Sequence, residues 1–405
     1  MTTPDFDFDP TFDPRTPLPG PPDPWAYMEM PSLRSGPPYH MTDMISAESA
    51  IAERILTRHL VAGGSAAALA DAVRATAVAG TPIIVTGCGT SEHAALGIAE
   101  ILREAARAAG LPGPGAVGAQ AFELALDPPS CGLVIGVSHE GGTGATNAAL
   151  TAARAAGART ALLTVSSTSP GAALSDPSLV VATGELDQSW CHTVGYVSPM
   201  LAAAAVGSHL SGRPLDVEGV VELLAAGTRD EAGADRIAGR LADAAHLLVI
   251  ASGADRIAGR ELVLKVEEAS WLPSAFRDLE TFLHGHLPAT GPDTGLIVIL
   301  TDREGRAERV VRARQALAAA RALGIRAAAI IAEELDAALD PSLTPAGRLL
   351  APDAPGLPSP VASLFGSATP LQLLTERLAR ARGTNPDPIR RDDPTYLAAA
   401  DAAEG

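Results

Sequence analysis

The sequence predicts two tandem doubly wound α/β units, each built on a parallel β-sheet. Three observations point there. Short apolar runs alternate with Ala-rich helical stretches, the pattern of a parallel sheet covered on both faces. The alternation pauses near residue 211 and then starts again. The chain has 405 residues, more than one ordinary core accommodates.

In the first unit the candidate strands are PIIVTG (82–87), GLVIGV (132–137), TALLTV (160–165) and LVVATG (179–184). An amphipathic helix, MTDMISAESAIAERILTRHL (41–60), precedes them. Helix SEHAALGIAEILREAARAAG (91–110) follows the first strand, and VSPMLAAAAVGSHL (197–210) closes the unit. SGRPLD (211–216) predicts an inter-domain linker. The second unit has strands HLLVIASG (246–253), SAFRDLE (274–280), GLIVILTD (295–302) and RAAAIIAEE (326–334). Its helices cover 255–270, 304–323 and 368–382, and residues 336–367 are Pro-rich and loop-like. The expected boundaries are a tail at 1–40, units at 41–212 and 213–385, and a C-terminal tail at 386–405. GADRIAGR occurs at 233–240 and at 253–260, first within a helix and then after a strand, so it reads as coincidence. The first 38 residues are rich in proline and Asp-Phe pairs and have little helix or sheet potential. The segment is either disordered or draped over a partner subunit; Phe6, Phe8, Phe12 and Trp25 are apolar anchors that favour draping.

Composition narrows the function. Net charge is −17 with no basic stripe, which argues against nucleic acid and anionic membranes as partners. No run of about 18 uncharged apolar residues is present, so a membrane span is not expected. The acidic start, MTTPDFDFDP, lacks the apolar stretch of a secretory signal. Cys88, Cys131 and Cys191 are scattered and make neither a disulfide framework nor a zinc site. A cytoplasmic location, no metal and no cofactor are the expectations. Aromatics are 3% of residues, so the cores must be built from small aliphatic side chains.

Four stretches carry candidate chemistry. GCGTSEH (87–93) follows a strand; its glycines allow close backbone approach, and Thr90 and Ser91 would cap the next helix with free hydroxyls. GVSHEGGTGAT (136–146) follows another strand, and Ser138 and Thr143 suit an anion at a helix N-terminus. In ELVLKVEEASW (261–271), Lys265 is the only lysine of the chain and shares a helix face with Glu268. A surface ion pair would have the same spacing. TFLHGHL (281–287) places His284 and His286 around Gly285, which suits proton transfer better than metal binding. In DQSWCHTVGY (187–196), Trp190 and His192 would line a pocket wall. A Cys191 thiolate nucleophile is disfavoured, because adjacent residues rarely face each other and no orienting carboxylate is evident.

In this order, these stretches resemble the sugar isomerase (SIS) family, above all the isomerase half of glucosamine-6-phosphate synthase. The resemblance runs over about 45–400. It implies two flavodoxin-like SIS domains, a sugar or sugar phosphate as ligand, and a homodimer with its site at the subunit interface. GCGTSEHAAL is similar to the first substrate loop, with Cys88, Gly89, Thr90 and Ser91 around the sugar. GVSHEGGTGATNAAL is similar to the second, whose family form is Ser-Gln-Ser-Gly-Glu-Thr; Ser138, Gly141 and Thr143 match it. LKVEEASW resembles the Leu-Lys-Leu-Lys-Glu-Ile-Ser-Tyr helix, which implies Glu268 as the base at C2 and C1 and Lys265 as the residue that orients Glu268 or the open sugar chain. TFLHGHL resembles Glu-Leu-Lys-His-Gly-Pro-Leu, which implies His284 as the ring-opening histidine, with Glu280 in reserve as a second acid.

The departures shape the expected activity. No glutaminase domain is recognisable, so glutamine-derived ammonia is not expected. The tail lysine that forms an imine in the synthase has no counterpart; Ala399 lies near its place. An aldose–ketose isomerase, an amino-sugar deaminase or a ketoamine deglycase is therefore favoured over a synthase. A non-catalytic sugar-binding regulator is the alternative. In the second loop, Glu140 replaces a phosphate-holding serine, His139 a glutamine and Gly142 a glutamate. Two like charges about 4 Å apart at an effective dielectric near 20 repel by roughly 4 kcal/mol. One hydrogen bond offsets only about 1 kcal/mol of that. A phosphate in the usual place is therefore rejected unless Glu140 swings away to solvent, is protonated, or pairs with a cation such as His139 or an arginine; otherwise Glu140 selects a hydroxyl or amine where the family holds phosphate.

Overall fold

The computed structural model describes residues 12–16 and 32–404. Phe6, Phe8 and Trp25 lie outside these residues, whereas Phe12 packs against the core of the first unit. Among the described residues no helix is long and apolar enough to cross a membrane.

The chain opens with helices α1 (His40–His59) and α2 (Ser65–Val78). The first sheet follows as β1 (Ile83–Gly87), α3 (Thr90–Ala108), β2 (Val117–Gln120), α4 (Ala121–Leu126), β3 (Leu133–Val137) and α5 (Gly144–Ala156). It ends with β4 (Arg159–Thr164), α6 (Pro170–Ala173), β5 (Val180–Ala182) and α7 (Val194–Ser211). After α8 (Val217–Ala226) and α9 (Glu231–Leu241) comes a second series. It runs β6 (His246–Ala251), α10 (Asp255–Ser270), β7 (Ser274–Asp278), α11 (Leu279–Thr281), β8 (Thr294–Leu300) and α12 (Arg306–Ala322). β9 (Arg326–Ala332), β10 (Gly347–Ala351), α13 (Ser359–Arg382) and α14 (Pro394–Glu404) complete the chain.

Both sheets have five strands, every pairing is parallel, and the orders are β2-β1-β3-β4-β5 and β7-β6-β8-β9-β10. Position by position these are the same doubly wound order, 2-1-3-4-5. The two predicted α/β units are therefore equal in topology. The central strand β3, LVIGV, is buried along its whole length, as a strand covered on both faces must be.

Eight predicted strands are present, and two edge strands escaped the sequence reading. β2 (VGAQ) and β10 (GRLLA) are only partly buried, so neither carries the continuous apolar run of a central strand. The 336–367 stretch is not all loop, because it holds β10 and the start of α13. Pro360 sits in the first turn of α13, where its missing N–H breaks no helical bond.

Two helices are buried almost all round. α7 packs against α1, α2 and α3, and α13 against α8, α9, α10 and α3. Small residues allow this closeness: a Cβ on Gly97 would lie 2.6 Å from Met200 Sδ. With few aromatics, the core gains its apolar burial from many close Ala, Leu, Ile and Val contacts.

Gly87 sets the position of the first loop, since a Cβ there would stand 2.6 Å from the carbonyl oxygen of Ser91. Gly87→Ala is expected to push back the first turn of α3 and cost about 1–3 kcal/mol, read as a lowered melting temperature. Unchanged melting would show that the turn has room to give.

Candidate active site around Lys265

The first loop is built differently from its sequence expectation. Gly89 (φ 56°) takes the N-cap position, and Thr90 and Ser91 are already helical. The Thr90 hydroxyl is not free: it donates to Glu261 Oε1 at 3.2 Å. His93, one turn further, places Nδ1 2.7 Å from Glu261 Oε2. Cys88 Sγ lies 3.9 Å from the Thr146 hydroxyl, at the mouth of the second loop.

Glu261 is fully buried on α10, one turn before Lys265. Lys265 Nζ lies 3.6 Å from Glu261 Oε1 and 2.6 Å from Glu268 Oε2. Burial favours the neutral amine, but the Glu268 and Glu261 carboxylates outweigh it and hold Lys265 protonated. Burial would also raise the Glu261 pKa, yet Lys265, His93 and Thr90 together lower it. Glu268 is the outer member, 23% exposed. The predicted Lys265–Glu268 pair is thus a buried one with a carboxylate opening outward. Glu261 and His93 were not singled out from the sequence. The spacing 261–265 on one helix face was the signal for Glu261.

The second loop brings together the residues expected of it. Ser138 Oγ and Thr143 Oγ1 are 3.0 Å apart, and the Gly141 N–H donates to Ser138 Oγ at 3.1 Å. Glu140 is turned in. Its side chain is 14% exposed, and Oε1 lies 3.6 Å from Nε2 of His192, itself 19% exposed. His139 sits deeper, and its Nε2 accepts the Asp187 N–H at 2.9 Å, which leaves the ring proton on Nδ1. The His139 and His192 rings are 5.2 Å apart.

Asp187 shapes the wall that carries His192. Its carboxylate accepts the N–H groups of Ser189 (3.1 Å), Thr193 (2.6 Å) and Gly195 (3.1 Å). Such a turn, pinned by one carboxylate, holds the Trp190–His192 segment in a single shape. Trp190 faces the C-terminal tail, with the Arg391 guanidinium 5.1 Å above its ring. Cys191 is fully buried, and burial drives its thiol pKa well up, so it is no ready nucleophile. The neighbouring Cys191 Sγ lies 3.9 Å from the Lys265 carbonyl oxygen, which sets this wall against α10.

His284 and Glu280 stand apart from this buried set. His284 is 69% exposed; its Nε2 is 2.6 Å from Glu280 Oε1, and Arg312 of α12 bonds to both oxygens of Glu280. Gly285 (φ 106°) turns the chain here, and His286 Nδ1 accepts from Arg277 at 3.1 Å. A cavity of about 290 Å³ lies elsewhere, between α3, α7 and the 355–358 turn. Its charged lining groups are Glu104 and Arg213, so it lacks a buried acid–base pair.

Residues 240–340 match the family model of the SIS domain. Solved structures similar to the chain share its fold across most of their length. One is the C-terminal domain of glucosamine-fructose-6-phosphate aminotransferase from Francisella tularensis, with TM-score 0.73 and 17% identity, covering 88% of this chain and 99% of that one. A second is tagatose-6-phosphate ketose/aldose isomerase from Escherichia coli, with TM-score 0.68 and 19% identity, covering 89% and 97%. A third is glucosamine-6-phosphate deaminase from Thermotoga maritima, with TM-score 0.60 and 17% identity, covering 85% and 96%. No curated protein matches the chain at the sequence level.

In the second sheet, the loop after β8 is the topological counterpart of the loop after β3, and the chain's own carboxylates fill it. Asp255 accepts the N–H groups of Thr301 (2.7 Å) and Asp302 (3.0 Å) and the Ser363 hydroxyl (2.7 Å). Asp302 in turn accepts from Ala254 (2.9 Å) and Arg309 (2.7 Å). The amides at this strand tip are thus occupied by the chain's own carboxyl group, and the loops of the first sheet remain as the candidate site.

Burial depresses the His192 pKa to about 4. Unfolded chains bind this proton near pH 6.5, so between the two values the unfolded state holds more protons. Stability present above pH 6.5 should fall as pH drops towards 4, by on the order of 3 kcal/mol from this group. His192→Asn should flatten that slope in denaturation curves at pH 4.5 and pH 7; an unchanged slope would assign it to other groups.

Proposed function

We propose that the chain is an enzyme acting on an amino or keto sugar by proton transfer between C1 and C2, as an isomerase, deaminase or deglycase. The carrying observation is the Lys265–Glu268 pair, buried at its cationic end and open at its carboxylate. Glu268 would take the proton from C2 and return it at C1, through an enediol or enolamine. Lys265 would hold Glu268 in place and steady negative charge developing on the neighbouring oxygen. The catalysed reactions in the names of the similar solved structures, an isomerase and a deaminase, belong to this class. The first loop, Cys88 to Ser91, and the second, Ser138 to Thr143, would hold the sugar.

His284 would open the sugar ring, with Glu280 as its acidic partner. Its exposure on this chain suits delivery into the site of a second copy, so we take the working form to be a cytoplasmic homodimer. The units at 41–212 and 213–385 would be its two domains, with the tails at 1–40 and 386–405 outside them.

Glu268→Gln keeps the shape and removes the base. It should slow deuterium incorporation at C2 in D2O, followed by proton NMR, by about 10²–10⁴-fold while sugar binding persists. Full exchange in the variant would remove Glu268 from the role of base. Binding to the wild type without any exchange would make the protein a sugar-binding regulator.

A further inference from the structure

The second loop faces its ligand with a carboxylate. Glu140 is held inward beside His192, on a wall fixed by Asp187, and is not turned out to water. His192 is neutral at physiological pH and does not cancel the charge of Glu140. Lys265, the only lysine, is already paired with two carboxylates. The Ser138 and Thr143 hydroxyls bond to each other, and Ser138 takes the Gly141 N–H as well. A phosphate dianion at this loop would therefore meet a like charge in a partly desolvated wall, where salt screens poorly.

We propose that the loop after β3 binds a sugar carbon bearing a neutral or cationic hydrogen-bond donor, a hydroxyl or an ammonium group, and rejects a phosphate ester, with Glu140 as the discriminating residue. This deepens the sugar-converting reading and rests on it for the identity of the ligand as a sugar. Glu140 accepts the O–H or N–H of the ligand. The neutral imidazole of His192 lies beside the carboxylate, 3.6 Å away, and offers the ligand a second polar contact. The substrate class is then an unphosphorylated amino or keto sugar. A phosphorylated one would fit only if the loop were neutralised.

Isothermal titration of the full chain at pH 7.5 tests this with glucosamine, glucosamine 6-phosphate, glucose and 6-amino-6-deoxyglucose. Glucosamine should bind at least tenfold more tightly than its 6-phosphate. Glu140→Gln should gain at least tenfold for the phosphate and erase the preference, and Glu140→Ser should do the same if the isosteric variant folds poorly, as thermal melting will show. Tighter binding of 6-amino-6-deoxyglucose than of glucose would assign an ammonium group to the subsite, and equal binding a hydroxyl; either supports the proposal. It is overturned if the wild type binds the 6-phosphate as tightly as glucosamine, if both variants keep the wild-type ratio, or if none of these sugars binds. Deuterium exchange at C2, read in parallel, separates the two readings. A preference for the free sugar without exchange defeats the proton-transfer reading alone, and exchange confined to the phosphorylated sugar defeats this inference alone.

Discussion

A buried ammonium group between two carboxylates governs this structure. Lys265 is the only lysine of the chain and lies wholly inside it. A lone charge there would cost several kcal/mol, so its neighbours are constrained to stay. Glu261 answers it from one turn earlier and is itself gripped by Thr90 and His93 at the start of α3. The loop after β1 and the helix of the second unit are tied together through that carboxylate. Glu268 makes the shorter contact with Lys265, 2.6 Å, and reaches outward. The same ion network that joins α3 to α10 also orients the candidate base.

The composition makes such a network affordable in space. Helices α7 and α13 are buried almost all round because Ala and Gly let backbones approach closely. A core of small side chains leaves little slack, so the frame around the candidate site is rigid. The two five-stranded sheets repeat one topology, but their loops have diverged. After β8 the strand-tip amides are satisfied by Asp255, whereas after β3 they belong to a loop of glycine and hydroxyl residues. One architecture used twice thus offers one candidate site per chain.

Much of this was legible from residue order. Buried strands such as β3 announce themselves by unbroken apolar runs, and loop chemistry by Gly, Ser and Thr directly after them. The edge strands β2 and β10 were not legible, because a half-covered strand has no apolar run to display. Thr90 was read as a free cap, but its hydroxyl is claimed by a carboxylate far along the chain. Glu261 shares the face of Lys265 by spacing alone, yet nothing local says that Thr90 and His93 will meet it. Asp187 looks like an ordinary loop residue until its three amide partners are seen.

The sequence by itself determined the fold class, the sites of the two loops and the pairing of Lys265 with Glu268, because these follow from periodicity and from neighbours a few residues apart. It also raised the question of Glu140, a carboxylate in a loop suited to anions. Only the tertiary structure decided that Glu140 turns inward and that its neighbour is His192, not His139. That outcome depends on where the 187–193 wall lies against the tip of β3, a contact between segments about fifty residues apart. Local spacing cannot encode such a meeting; it arises from how the sheet stacks its loops at one edge.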